Sequence, residues 1–166
     1  MSRPNLVRLP AQSSKPPQQL ISGPLAGCYT AWRALCGDRF APTRKEIDPA
    51  QFKPTLGSIF VVEVVDDGAD FRFALGGERI VEMMGQRLRG ELLSAQPRTP
   101  FFVGMNNLYL RCLHAKEPVA VGPMRTVREG TDFLELEVLV MPLSDTGTTV
   151  TSLLGAIHIS RVRNPV

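Results

Sequence analysis

The sequence predicts an α+β domain: a five-stranded antiparallel sheet with helices on one face, preceded by an N-terminal amphipathic helix. Three observations carry this reading. β-Branched and aromatic residues crowd 58–65, and Phe71, Phe73 and Leu75 alternate with Arg72 and Ala74. Residues 78–88 and 101–115 then repeat apolar side chains at three- and four-residue steps. Finally, 119–126, 133–143 and 150–162 read as strands separated by turn-forming residues. A hairpin, a helical excursion and a meander are what remains when these are set in order.

Residues 1–23 hold Pro4, Pro10, Pro16, Pro17 and Gly23 among Ser, Gln and Lys. Such a stretch buries too little apolar surface to offset its ordering entropy, so it is expected to be a disordered basic tail. Pro24 suits the first turn of a helix. Leu25, Cys28, Tyr29, Trp32, Leu35 and Cys36 follow at helical spacing, and Gly37 is placed to end the run. This amphipathic helix, 24–38, is expected to stand outside the sheet. Residues 39–57 contain three prolines and read as an irregular connector, with a helical turn at 48–52. The domain proper is expected over 58–163.

Within that domain, Asp66-Asp67-Gly68-Ala69-Asp70 supplies the left-handed backbone that a tight hairpin needs. Ile80, Val81, Met83, Met84 and Leu88 mark the stripe of the first helix. Met105, Leu108, Tyr109, Cys112 and Leu113 mark that of the second, which Glu117-Pro118 ends. Leu134, Leu136, Val138 and Val140 share one face of the middle late strand, opposite Glu135 and Glu137; Leu153, Gly155, Ile157 and Ile159 share one face of the last. Turns are expected at Arg128-Glu129-Gly130 and Ser144-Asp145-Thr146-Gly147.

The chain's 166 residues fit one domain able to bury a core without disulfides or metal. No apolar run reaches the roughly 18 residues that span a bilayer, and the start has no hydrophobic stretch, so a soluble cytoplasmic protein is expected. The net charge of +3 is unevenly placed. Residues 1–37 carry Arg3, Arg8, Lys15 and Arg33 and no acid, which leaves 15 basic against 16 acidic residues beyond them. A near-neutral domain with a basic tail argues against nucleic acid as a partner. Cys28, Cys36 and Cys112 lack CxxC spacing, and Cys28 and Cys36 lie too far apart along one helix to bridge. They read as buried thiols in a reducing compartment.

No constellation points to catalysis. Asp145-Thr146-Gly147 has the aspartic-protease triplet, but only one copy is present and it falls between strands, where Asp and Gly serve hairpin geometry. His114 and His158 have no carboxylate or cysteine at ligand spacing, so no zinc site assembles. Gly76-Gly77 and Gly85…Gly90 lack the Gly-Lys-Ser/Thr of a phosphate loop.

One series of short signatures runs along the chain. Trp32 is followed by Gly37-Asp38-Arg39 and Pro42, then Ile47-Asp48-Pro49, the strand residues 59–65, and Phe71-Arg72-Phe73-Ala74-Leu75-Gly76. Met141-Pro142-Leu143-Ser144-Asp145 and Leu153-Leu154-Gly155-Ala156 close it. The series resembles a bacterial family of stand-alone PAS-like domains over roughly 25–161; Met83-Met84 departs from that family's aromatic-Gly pattern. The resemblance implies a sensory or regulatory protein rather than an enzyme, with a small apolar cavity between the sheet and the helices of the excursion. Phe73, Leu75, Met84, Leu108, Cys112, Leu136 and Ile157 are the candidate ligand-lining residues, chosen by face. It implies a homodimer formed through the helix ahead of the sheet, with Leu25, Cys28, Tyr29, Trp32 and Leu35 as the candidate interface, and a signalling protein reached in trans. The alternative is a ligand-free protein–protein interaction module with a filled core. Among cofactors, haem held by His114 is not favoured, because Arg111, His114 and Lys116 also suit the polar side of their helix. A flavin–cysteine adduct is not favoured either, since 77–85 contains no cysteine.

Overall fold

A computed structural model describes residues 14–127 and 132–163. The expected turn at Arg128-Glu129-Gly130 and the first part of the expected tail, 1–13, lie outside the described residues. The elements are α1 (Gly23–Cys36), β1 (Ile59–Val65), β2 (Asp70–Gly76), α2 (Glu78–Met84), α3 (Pro100–Ala115), β3 (Val119–Val127), β4 (Asp132–Leu143) and β5 (Ser152–Arg163). The sheet runs β2-β1-β5-β4-β3 with every pair antiparallel, so the last strand of the chain sits at its centre. No described helix is long and apolar enough to cross a membrane.

Local chemistry sets most boundaries. The Ser22 hydroxyl accepts from the Leu25 amide at 3.3 Å and caps α1, with Pro24 in the first turn. The β1–β2 hairpin turns through positive φ at Asp66, Asp67 and Gly68. The first excursion helix is shorter than the expected 78–88. Gly85 adopts the left-handed conformation, its amide returns to the Val81 carbonyl, and Leu88 falls in the following loop.

Both faces of the sheet are covered. On the inner face Phe60, Val62, Leu136, Val138, Leu153 and Ile157 pack beneath α2 and α3. On the outer face Ile59, Val61, Leu139, Met141, Leu143 and Leu154 pack against Leu25, Cys28, Trp32 and Cys36 of α1. Trp32 is fully buried, and its indole donates to the Pro142 carbonyl at 2.9 Å. Burying an apolar side chain such as Leu25 contributes about 1.5–3 kcal/mol. This corrects two expectations. The helix lies on its own sheet, and Leu25, Cys28 and Trp32 are enclosed within the chain instead of being displayed to a second copy. Only Tyr29 and Leu35 remain half-exposed, at the rim of that contact.

Residues 14–22, expected to belong to a disordered tail, are held by two devices. Lys15 exchanges backbone hydrogen bonds with Ala120 (2.7 and 3.0 Å), extending the sheet beyond β3. The Glu137 carboxylate, only 3% exposed, accepts from the Lys15 ammonium at 2.6 Å and from the amides of Ile21 (2.9 Å) and Ser22 (2.7 Å). Burial alone would push that carboxyl up; the Ile21 and Ser22 amides and Lys15 outweigh it and hold it below the usual range. Glu137, which the alternation of β4 assigns to a polar face, is therefore a buried anchor, with His158 as its cross-strand neighbour.

In the connector, Glu46 binds Arg39 through two hydrogen bonds of 2.8 and 2.9 Å and accepts from the Thr43 amide. Arg39 first, then Thr43, draws its carboxyl down to about 2. The Arg44 amide donates to Asp145, whose own amide donates to the Thr151 hydroxyl, and the Gly147 amide donates to the Ser144 hydroxyl. The Asp-Thr-Gly triplet is thus a tied turn. The thiols of Cys28, Cys36 and Cys112 are free and buried. Burial pushes Cys28 up to about 12 and raises the other two, which makes all three poor nucleophiles.

Candidate functional site

Because α3 packs over β3 and β4, the β1–β2 end of the inner face is left to α2 and the loop that follows it. A cavity of about 280 Å³ opens there. Phe60 and Ile157 form its floor, and Phe73, Leu75 and Gly76 of β2 its side. Ile80, Val81, Met83 and Met84 come from α2, and Phe101, Phe102, Met105 and Tyr109 from α3. Gln86, Arg87, Leu88, Arg89 and Leu93 complete the enclosure from the intervening loop.

Two local features keep this space open. Gly155 lies directly across the sheet from Phe60, and any side chain at 155 would overlap the Phe60 ring. The missing Cβ lets the ring settle against β5 instead of rising into the cavity. The enclosing loop is also fastened along the free edge of β2. The Phe73 amide donates to the Glu91 carbonyl at 2.9 Å, the Gly90 amide donates to the Phe73 carbonyl at 2.7 Å, and Arg72 bridges to Leu92. Further on, the Ser94 amide and hydroxyl both donate to Asp70. Burial works against the ionised Asp70, but the Ser94 and Phe71 hydrogen bonds prevail and its carboxyl lies below its ordinary value.

The lining is apolar over most of its area, with polar groups few and localised. Gln86, Arg87 and Arg89 are exposed lining residues, and among the described residues no acidic side chain lines the cavity. Tyr109 packs edge-on against Phe71, with ring centroids 5.2 Å apart. Burial raises its phenol. Such a cavity can hold a small organic molecule by excluding water from its body. It presents no nucleophile–base pair. Among the described residues no group of three His, Cys, Asp or Glu is placed to hold a metal.

Of the sequence-derived lining candidates, the structure brings Phe73, Leu75, Met84 and Ile157 together around the cavity. Leu108, Cys112 and Leu136 belong to the same inner core but lie in its packed part, outside the lining. The Cys112 thiol donates to the Val140 carbonyl at 3.7 Å there. His114 is exposed in the last turn of α3 and outside the lining, so it offers the cavity no axial ligand for haem. Among the described residues no cysteine lines the cavity, which leaves a flavin adduct without its thiol. Sequence reasoning did not select Phe60, Ile80, Val81, Met83, Met105 or Tyr109. The helical ones share stripes with residues it did select, which is the signal that could have found them. Gln86, Arg87 and Arg89 carry no periodic signal at all.

Set against known protein families, the chain matches the model described as "PAS domain" over residues 22–158, from the cap of α1 into β5. No curated protein and no solved structure gave a match.

Proposed function

This chain belongs to the PAS domain family, whose members are in general sensory or regulatory, and from that premise we propose that it senses a small, largely apolar molecule held in the cavity between β2, α2 and α3. The cavity itself carries the reading. Its 280 Å³ stands near the lower end of the roughly 300–1,000 Å³ typical of ligand sites, which suits a molecule smaller than most drugs. Occupancy would act on α2 and the loop beyond it. Those segments form much of the wall, and α2 packs on the connector run Pro49–Ser58. A ligand that prefers one arrangement of that wall shifts the population toward it, and a partner protein reading the α2 surface would register the change in trans.

Native mass spectrometry of protein purified gently from its own cells tests this. The wild type should carry one small organic molecule per chain, and Val81→Phe, which adds an aromatic ring to the cavity wall and obstructs the space, should carry none. A wild type without any bound mass, whose melting temperature no apolar compound raises, would make the cavity a packing defect.

A further inference from the structure

We propose that the ligand is an amphiphilic carboxylate: an apolar body inside the cavity and an anionic head at the mouth, met by the guanidinium of Arg89. This deepens the sensory reading above and rests on it. Among the described residues, the only charged side chains in the lining are Arg87 and Arg89, both cationic. They are not equivalent. Arg87 already pairs with Glu78 at 3.2 Å, whereas Arg89 has no ion pair among the described residues. Arg89 also springs from a fixed point. The next residue, Gly90, turns the backbone at a φ of 86° and donates its amide to the Phe73 carbonyl at 2.7 Å, while Phe73 itself lines the cavity. Gln86 lines the cavity beside them.

The physical case is one of matching needs. A molecule whose body is taken up by aromatic and aliphatic walls must leave its polar end where water and charge are available. A guanidinium presents two parallel donors, the geometry that a carboxylate accepts bidentately. A cationic head would face the Arg89 guanidinium and an Arg87 already paired with Glu78, with no acidic side chain among the described lining residues to receive it, and a neutral head gains nothing from the excess charge. One unpaired arginine balances one negative charge, which favours a monocarboxylate over a phosphate.

Calorimetric titration of octanoate, 1-octanol and octylammonium separates these outcomes. Wild type is expected to bind octanoate about tenfold more tightly than octanol, the size of one charge-assisted contact, and octylammonium least. Arg89→Gln alters an exposed side chain and should fold normally. It is expected to lose the octanoate preference while binding octanol unchanged. Val81→Phe should lose all three, showing that they enter the cavity. Octanol binding as well as octanoate, or an octanoate preference that survives Arg89→Gln, overturns the carboxylate assignment and leaves the sensory cavity standing. Failure of all three to bind wild type overturns the carboxylate assignment, and overturns the sensory reading too when native mass spectrometry of the wild type finds no bound molecule.

Discussion

Position 155 illustrates how much one absent side chain controls. The sequence places Gly155 on the inner face of its strand but gives no reason for a glycine there. The reason lies across the sheet, where the Phe60 ring occupies the space that a Cβ would need. Gly155→Ala should push that ring toward the adjacent cavity that Phe60 lines. Overpacking of this kind costs about 1–3 kcal/mol, visible as a lower urea midpoint, and should weaken ligand binding at the same time. An unchanged midpoint together with full binding would show that the ring has another way out. Tyr109 gives the complementary lesson. Helical spacing marks it as one of several stripe residues, and only the fold shows that its ring packs against both Phe60 and Phe71 at the cavity wall.

At the scale of elements, the anchoring of α1 departs furthest from what periodicity suggests. Strict alternation assigns Glu137 to a polar face, yet it collects the Lys15 ammonium and the amides of Ile21 and Ser22 in a buried setting. Glu137→Ala leaves those amides without an acceptor, at a cost of about 1–3 kcal/mol. Amide exchange across residues 15–30 should accelerate selectively; exchange that accelerates uniformly, or not at all, would deny Glu137 its anchoring part. Acid should act in the same direction. The folded-state carboxyls of Glu137 and Glu46 both lie below their ordinary value of 4.5, so their contribution is present above that value and lost as pH falls through the folded one. For Glu46 the window runs from about 4.5 down to about 2. Urea midpoints measured across it should decline, and Glu46→Gln should flatten the decline.

For the whole molecule, the decisive fact is that the sheet is covered on both faces. A helix standing clear of the sheet would make removal of residues 1–37 a clean route from dimer to monomer. With α1 seated on Val61, Leu139, Met141 and Leu154, the same deletion exposes a contiguous apolar face. The truncated chain is expected to aggregate in light scattering at concentrations where the full chain stays dispersed. A soluble, cooperatively folding truncation would show that α1 is dispensable to the fold. The clue was present in β4: from Val138 to Leu143 no polar residue occurs at either parity, the mark of a strand buried on both sides. Reading only its even positions concealed that.

By itself the sequence determined the order and kind of the elements, the two helical stripes over the inner face, and the family signatures that run through them. Those depend on near neighbours: alternation, three- and four-residue steps, and turn residues whose backbone needs are local. Four of the seven candidate lining residues, Phe73, Leu75, Met84 and Ile157, border the cavity, because face is a local property. Tertiary structure alone decided which inner-face residues border empty space and which are packed solid. It decided likewise that α1 belongs to the sheet and that Glu137 is an anchor. Each depends on groups brought together from distant parts of the chain: Phe60 with Gly155, Trp32 with Pro142, Lys15 with Glu137. Pairings at such separations leave no period in a sequence, since what selects them is the closing of one layer upon another.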